Sequence, residues 1–358
     1  MTQVPTARGD SISTEDLGFT LVAETIYNVN SEVNNNWPDI SIGWDERLDE
    51  HIQLAIEILT EAKRHGVDTI VDRVLPGNGR NVERVKRVAE GAPLNIVVCT
   101  GFYTWCDLPF PFMFREEWGI TAPGEPKMED LFVRDIEEGI ADTGVRAGMV
   151  KIATDHYGLT PGVELAMRSG ARAHRRTGVP LTTHTGVGTV NGRQQQQVLE
   201  EEGVDLSRTI IGHMDKTPRD ASLDEFTELM DRGSYIAFDM VGIPGAGESD
   251  ADTESGGGHA QLDTVFDPAL RIERIVGLCE RGYAGRILVS QDQGCWTDLL
   301  PEGLIARADE KRGVPRYTQI HHQLIPALRE RGVPEEQIDQ IIKVNPRAVF
   351  ETGAAGPY

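Results

Sequence analysis

Short runs of β-branched and other apolar residues alternate eight times with amphipathic helical stretches, and this repeat limits which folds the chain can adopt. Because a helix follows each strand, successive strands should lie parallel and be joined by right-handed crossovers. Eight such units can close into a barrel, so the predicted fold is an α/β TIM (β/α)8 barrel. The predicted strands are residues 18–25, 67–74, 94–102, 147–154, 179–185, 208–213, 234–239 and 285–292.

The helical segments between these strands support the same prediction. Helix patterns cover residues 45–65, 129–142, 162–177 and 223–232, and several stop at a glycine just before the next strand. An open doubly wound sheet is the alternative, but no glycine-rich phosphate loop follows an early strand. No linker or shift of composition divides the chain. We therefore expect a single barrel domain over residues 1–358, with a short N-terminal extension of about 16 residues.

The composition of the chain excludes some classes of binding partner. The 358 residues carry a net charge of −22, which would repel nucleic-acid phosphates and anionic lipid surfaces. No apolar run approaches the ~18 residues of a membrane span, and the polar start does not resemble a signal peptide. Four scattered cysteines suggest neither disulfides nor a structural zinc site. We expect a cytoplasmic protein that acts on a small molecule and binds neither nucleic acid nor membranes.

Four predicted strand ends carry polar side chains that could form one site: Lys151, His184, His213 and Asp292. The carboxyl ends of the strands converge at one face of a TIM barrel. Two imidazoles and a carboxylate are good ligands for a borderline metal such as zinc. A lysine that points into a barrel is costly to bury unless it is neutralised or modified. We therefore predict that these four residues form the functional centre.

Sequence motifs around these residues resemble those of a known family. The matching segments are GFTL at 18–21, GMVKIATD at 148–155, THT at 183–185, IGHMD at 211–215 and VSQD at 289–292. From about residue 17 to 351, the chain resembles the phosphotriesterase family of the amidohydrolase superfamily. That resemblance implies a TIM barrel, a homodimer, and a centre of one or two divalent ions, with zinc the expected metal.

The resemblance also implies a role for each of the four residues. Lys151 matches a carboxylated lysine that bridges two metals, and His184 and His213 match ligands of the more exposed metal. Asp292 matches the carboxylate that binds the buried metal and accepts a proton from the bridging hydroxide.

The first strand departs from the family pattern. Where the family has His-X-His, this chain has Ala23-Glu24-Thr25. Strand alternation would place Ala23 and Thr25 inward as vacated ligand positions, with Glu24 outward. Neither vacated position offers a good ligand, whether they arose by divergence or by deliberate mutation. We therefore expect about one tightly bound ion per chain, held by Lys151, His184 and His213.

Further candidates lie close to the strand ends. Tyr103 and Trp105 follow the third strand and are predicted to contact substrate. Arg73, near the end of the second strand, would pair either with a carboxylate of the site or with one at the rim. Residues 37–45, 106–127 and 244–266 form long loops on the active face, and the last of these is predicted to be a mobile lid.

Three functions fit these observations. The first is a metal-dependent hydrolase in which Asp292 acts as the base and metal-bound hydroxide as the nucleophile, on a lactone, ester, amide or phosphoester. Lactones and carboxyl esters are favoured over phosphotriesters. The alternative is a catalytically impaired or non-hydrolytic barrel that binds a small ligand or a partner. A third possibility keeps Lys151 unmodified, as an amine that forms a Schiff base with a carbonyl substrate.

Overall fold

Parallel strands form one nine-stranded sheet in the computed structural model of this chain. The structure describes residues 2–38, 47–104, 106–155, 157–186, 192–243, 267–298, 309–310, 313–352 and 358. A short antiparallel pair, β1 (Gln3–Pro5) and β2 (Ser11–Ser13), precedes the sheet. The strands of the sheet are β3 (Thr20–Asn28), β4 (Thr69–Asp72), β5 (Asn95–Phe102), β6 (Met149–Ala153), β7 (Leu181–His184), β8 (Thr209–Ile211), β9 (Tyr235–Phe238), β10 (Ile287–Val289) and β11 (Gly294–Thr297).

The strands from β3 to β10 pair in chain order, and β11 adds to the free side of β3. Backbone bonds join the two ends of this series. The Asp292 N–H donates to the Ala23 carbonyl at 3.2 Å, and the Thr25 N–H donates to the Gln293 carbonyl at 2.8 Å. The sheet therefore curls until the segment after β10 meets β3, and the predicted TIM (β/α)8 barrel is confirmed.

Helices follow the strands and cover the outside of the sheet. Those described are α1 (Ser31–Asn36), α2 (Leu48–Arg64), α3 (Val82–Gly91), α4 (Phe110–Phe112), α5 (Met128–Glu137), α6 (Pro161–Thr177), α7 (Gly192–Glu201), α8 (Leu223–Asp231), α9 (Pro268–Glu280), α10 (Ile325–Glu330), α11 (Glu335–Asp339) and α12 (Asn345–Thr352). Short 3-10 or π-helical turns extend or link several of them. Within the described residues, no helix has the length and apolar character needed to cross a membrane.

Alternation along the strands divides the apolar core into two layers. Val97 packs in a small cluster with Val22, Met149 and Leu288, whereas its neighbours Ile96 and Val98 pack in a larger cluster that includes the helices. The small cluster fills the barrel interior, and Val4 and Phe350 belong to it as well. Segments from the start and the end of the chain therefore help to fill one end of the barrel, opposite the polar strand ends.

The structure also corrects details of the sequence prediction. All eight predicted strands are present with slightly different ends, but β11 and the β1–β2 pair were not predicted. The helix expected at residues 129–142 ends at Glu137, because Gly139 turns the chain with a φ of 127°. The lid predicted at residues 244–266 and most of the loop at 37–45 lie outside the described residues. A single domain stays a prediction.

Candidate active site

The four predicted strand-end residues lie at the same end of the barrel. Lys151 is in β6, His184 ends β7, His213 follows β8, and Asp292 follows β10. The His184 and His213 rings meet edge to face, with their centroids 4.2 Å apart. Lys151 and both histidines are buried, while the Asp292 side chain is 17% exposed. Asp292 is thus the member of this group that water reaches most readily.

Unusual backbone conformations hold two of these residues in place. His213 and Asp292 have φ values of 57° and 54°, in the left-handed region that residues other than glycine seldom adopt. The His213 N–H donates to Oδ1 of Asp239 at 2.9 Å, and its ring Nδ1 lies 2.8 Å from the same oxygen. Asp239, which follows β9, therefore fixes both the backbone and the ring of His213.

Arg73 joins two of the predicted metal ligands. It directly follows β4, and its Nη1 lies 3.0 Å from Nε2 of His213 while its Nη2 forms an ion pair with Asp292. A guanidinium can only donate hydrogen bonds, so Nε2 of His213 must be the acceptor and Nδ1 must carry the proton given to Asp239. Of the two partners expected for Arg73, the structure has the carboxylate within the site.

A second cation lies against the other imidazole. Lys216 belongs to the 3-10 turn Met214–Lys216, is buried, and places Nζ 3.2 Å from Nε2 of His184. The same ring nitrogen lies 3.0 Å from Oδ2 of Asp155 and 3.3 Å from the hydroxyl of Tyr103. Tyr103 also donates to Asp155. Nε2 of His184 is therefore surrounded by polar partners.

Burial and the crowding of charges shift the pKa of several of these groups. Burial lowers the pKa of Lys151 well below its usual value, and the nearby positive charge of Arg73 lowers it further. Burial also lowers the pKa of Lys216 to about 8 and raises the pKa of Asp239 to about 6. Burial raises the pKa of Asp155, but hydrogen bonds and positive charge from its neighbours have the larger combined effect and lower this pKa to about 2.

The surroundings of both imidazoles favour the uncharged form. Burial lowers the pKa of His184 and of His213 well below the usual value, and the charge of Lys216 adds to the effect at both rings. The positive charge of the centre is therefore assigned to Arg73 and Lys216 rather than to the two imidazoles.

These contacts do not fit a divalent ion. Within the described residues, no three His, Cys, Asp or Glu side chains are grouped so that they could hold a metal. Nε2 of His213 and the Asp292 carboxylate both contact Arg73, and Nε2 of His184 contacts Lys216. Zinc, one ion per chain and carboxylation of Lys151 accordingly stay predictions of the sequence.

The first strand supplies no replacement ligand. The backbone of Ala23 bonds to Asp292, and Thr25 pairs with Gly294 across β3 and β11. Glu24 is fully buried, and its carboxylate accepts hydrogen bonds from the backbone N–H groups of Gln291 and Gln293 and from the Ser290 hydroxyl. Its acceptor atoms are thus used to hold the turn after β10.

The structure brings some predicted residues together and adds others. Tyr103 lies in the site through its contacts with Asp155 and His184, whereas Trp105 lies outside the described residues. Sequence reasoning missed Asp155, Asp239 and Lys216 as members of the site. Asp239 had a usable signal, since it ends a predicted strand just as Asp292 does.

Comparison with known proteins agrees with this fold. The model of the phosphotriesterase family matches residues 2–350. A phosphotriesterase homology protein of Mycobacterium tuberculosis (strain H37Rv) is 41% identical over 98% of each chain. An aryldialkylphosphatase of Saccharolobus solfataricus is 33% identical over 97% of this chain and 99% of its own.

One more relative and one solved structure are also similar to this chain. The N-acetyltaurine hydrolase of Xenopus tropicalis is 26% identical over 84% of this chain and 78% of its own. The solved structure of the phosphotriesterase from Mycobacterium tuberculosis matches with a TM-score of 0.83 and 40% identity over 98% of both chains. Divalent metals are general in this family, and its named relatives support a hydrolase function. The chain belongs to the phosphotriesterase family.

Proposed function

We propose that this protein is a hydrolase that cleaves a lactone or a carboxyl ester, with amides and phosphoesters as the other candidate substrates. The observation that carries the proposal is the convergence of Asp292, Arg73 and His213 at the barrel mouth. The names of the relatives, one an aryldialkylphosphatase and another an N-acetyltaurine hydrolase, support a hydrolytic reaction of this kind.

The residues of the chain can support each part of such a reaction. The partly exposed Asp292 carboxylate takes a proton from the attacking water as the new bond to the carbonyl carbon or phosphorus forms. The proton then passes to the leaving oxygen or nitrogen as its bond breaks. The positive charges of Arg73 and Lys216 stabilise the negative charge that develops on the substrate oxygen.

Tyr103 is the aromatic residue that we propose for substrate contact, with Trp105 as a second one predicted by the sequence. Because the hydroxyl of Tyr103 is held by Asp155, its ring has a fixed position beside His184, with the ring centroids 5.1 Å apart. A fixed ring of this kind can order an apolar substrate group near the reacting atoms. A small-molecule substrate and a cytoplasmic location stay predictions.

Hydrolysis can be tested on a panel of a γ-lactone, an aryl ester, an aryl dialkyl phosphate and an N-acyl amino-sulfonate. We expect turnover of at least one compound, and Asp292→Asn should lower kcat/KM for it about 100-fold, because the proton acceptor is lost. The matched control is Asp298→Asn, which removes a carboxylate bonded to the Asn30 backbone N–H. Its activity should stay near that of the unchanged protein. Equal activity of Asp292→Asn and the unchanged protein would contradict the proposal.

Two alternatives have specific support. The presence of Ala23 and Thr25 in place of the two first-strand histidines favours a non-hydrolytic barrel, for which a ligand from the panel would raise the melting temperature without being consumed. Burial of Lys151, which lowers its pKa well below the usual value, favours a Schiff-base enzyme. Borohydride would then trap a carbonyl ligand on Lys151, and Lys151→Ala would abolish the adduct.

A further inference from the structure

We infer that Arg73 and Lys216 take the place of divalent ions at this centre, so that the protein works without a bound metal. The part concerning activity rests on the proposed hydrolase function. The part concerning metal content does not depend on it.

Arg73 lies between the two groups that a metal would need. Its guanidinium contacts Nε2 of His213 and the Asp292 carboxylate at the same time. Neighbouring structure orients both groups. Asp239 sets the tautomer of His213, and Asp292 has a left-handed backbone conformation. A histidine whose other nitrogen bonds a carboxylate is the arrangement usual behind a metal ligand. Here the atom in front of that histidine is a guanidinium nitrogen.

Lys216 has the same relation to the other imidazole. Its ammonium lies 3.2 Å from Nε2 of His184, and Asp155 and Tyr103 complete the surroundings of that nitrogen. The two ring nitrogens predicted to hold the exposed metal therefore each contact a different cation. A divalent ion between them would have to displace both cations or bear their repulsion at close range.

Within the described residues, the first strand supplies no ligand that would compensate for this repulsion. Positions 23 and 25 lack ligand side chains, and the Glu24 carboxylate is used by the backbone of Gln291 and Gln293. The site thus combines an arginine and a lysine with a first strand that has no histidine. Its positive charge is supplied by side chains, and it lacks the two first-strand histidines of the family pattern that would attract a metal.

A guanidinium can perform part of the task of a metal ion. It is permanently charged, presents several N–H donors in a plane, and matches the oxygens of carboxylate, carbonyl and phosphoryl groups. With Asp292 beside it, Arg73 supplies a charge next to the proton acceptor. The geometry therefore assigns Arg73 a catalytic role in contact with the reacting atoms.

The direct test is elemental analysis of protein purified without chelator and dialysed against zinc and manganese. We expect less than about 0.1 ion per chain, because the ligand atoms already have cationic partners. Activity on the best panel substrate should change less than about 2-fold after treatment with a strong chelator. One or more ions per chain, together with loss of activity on chelation, would overturn the inference.

Variants separate the contribution of Arg73 from that of the first strand. Ala23→His with Thr25→His should still bind no metal, since Arg73 keeps its contacts with His213 and Asp292. Adding Arg73→Val to that pair should allow about one ion per chain to bind, because the ligand atoms are released and the repelling charge is gone. Metal binding by the two-histidine variant alone would show that Arg73 does not exclude the ion.

Arg80 offers a matched control. It pairs with Asp135 at 2.9 Å, and the two side chains are about as exposed as Arg73 and Asp292. Arg80→Val in the two-histidine background should lose stability without gaining metal. The folding of each variant should be checked by circular dichroism. If a variant fails to fold, the metal content of the unchanged protein still tests whether the centre binds a metal. A metal-free protein without activity would refute the proposed function and the part of this inference that concerns activity, but the part that concerns metal content would stand.

Discussion

Gly101, near the end of β5, has a backbone that only glycine adopts without strain. Its φ is 132°, and a Cβ atom at this position would overlap the carbonyl oxygen of Lys151, with which it is paired across β5 and β6. The missing side chain thus allows two strands to approach at the level of the site. The position of Lys151 depends on a neighbour with no functional group of its own.

Gly101→Ala should therefore destabilise the protein by about 2 kcal/mol or more, because the new methyl group forces the two strands apart. Urea unfolding followed by circular dichroism measures this change. Gly285→Ala is the control, since a Cβ atom there meets no other atom within 4 Å and should change stability little. Equal stability of the two variants would mean that β5 and β6 are less tightly apposed than described.

At this scale, the sequence predicts which residues meet but not what they bond to. Lys151, His184, His213 and Asp292 are predictable because each lies at or near the end of a predicted strand, and strand ends converge in a barrel. The contact of Lys216 with His184 and that of Arg73 with His213 are not predictable, because they depend on where a long side chain extends after the strand has ended. No periodicity encodes that direction.

Among the helices, α6 is held by a histidine that bonds on both sides. Nδ1 of His174 lies 2.6 Å from the Val179 carbonyl, and Nε2 lies 2.6 Å from the hydroxyl of Tyr358. The guanidinium of Arg208 stacks over the same tyrosine ring, 4.6 Å from its centroid. The ring of His174 must be neutral to accept from Tyr358, and burial lowers its pKa to about 4.

This histidine should make stability depend on pH. Between pH 6.5 and 4, the unfolded chain binds a proton at position 174 that the folded protein does not, so stability falls as the pH falls through this range. Compared with His174→Gln, the unchanged protein should lose about 2 kcal/mol more on going from pH 6.5 to 4.5. Chemical denaturation at the two pH values measures the difference. Parallel losses in both proteins would show that His174 titrates normally.

Element boundaries illustrate why part of the fold escapes prediction. The eight barrel strands have the apolar runs that identify strands, and all were predicted. β11 has only four residues, Gly294–Thr297, and becomes a strand because the extended end of β3 offers it a free edge. Such pairing is set by tertiary structure, so local sequence carries little sign of it.

At the scale of the whole molecule, three exposed aromatic side chains form a cluster on the described surface. Phe110, Phe114 and Trp118 lie on consecutive turns after β5, with ring centroids 6.0 and 4.9 Å apart. Phe110 is 70% exposed and Trp118 is 59% exposed. Contiguous exposed apolar surface of this kind is typical of interaction sites.

We propose that this surface contributes to the homodimer that the sequence predicts. Light scattering coupled to size exclusion should give about twice the 39.4 kDa chain mass. Phe110→Asp with Trp118→Asp should shift the protein toward monomer, whereas Tyr157→Asp, at another exposed aromatic residue, should not. A monomeric unchanged protein, or a dimer unaffected by the first pair, would contradict the proposal.

The contact of Arg73 with His213 and Asp292 also bears on how this centre could change in evolution. If Arg73 replaces a metal ion, histidine at position 23 or 25 gives no advantage while Arg73 is present. Loss of Arg73 alone would in turn leave His213 and Asp292 without a cation and without enough ligands for a metal. Each single reversion is therefore unfavourable, and a lineage that has acquired this arrangement is not expected to return stepwise to metal-dependent chemistry.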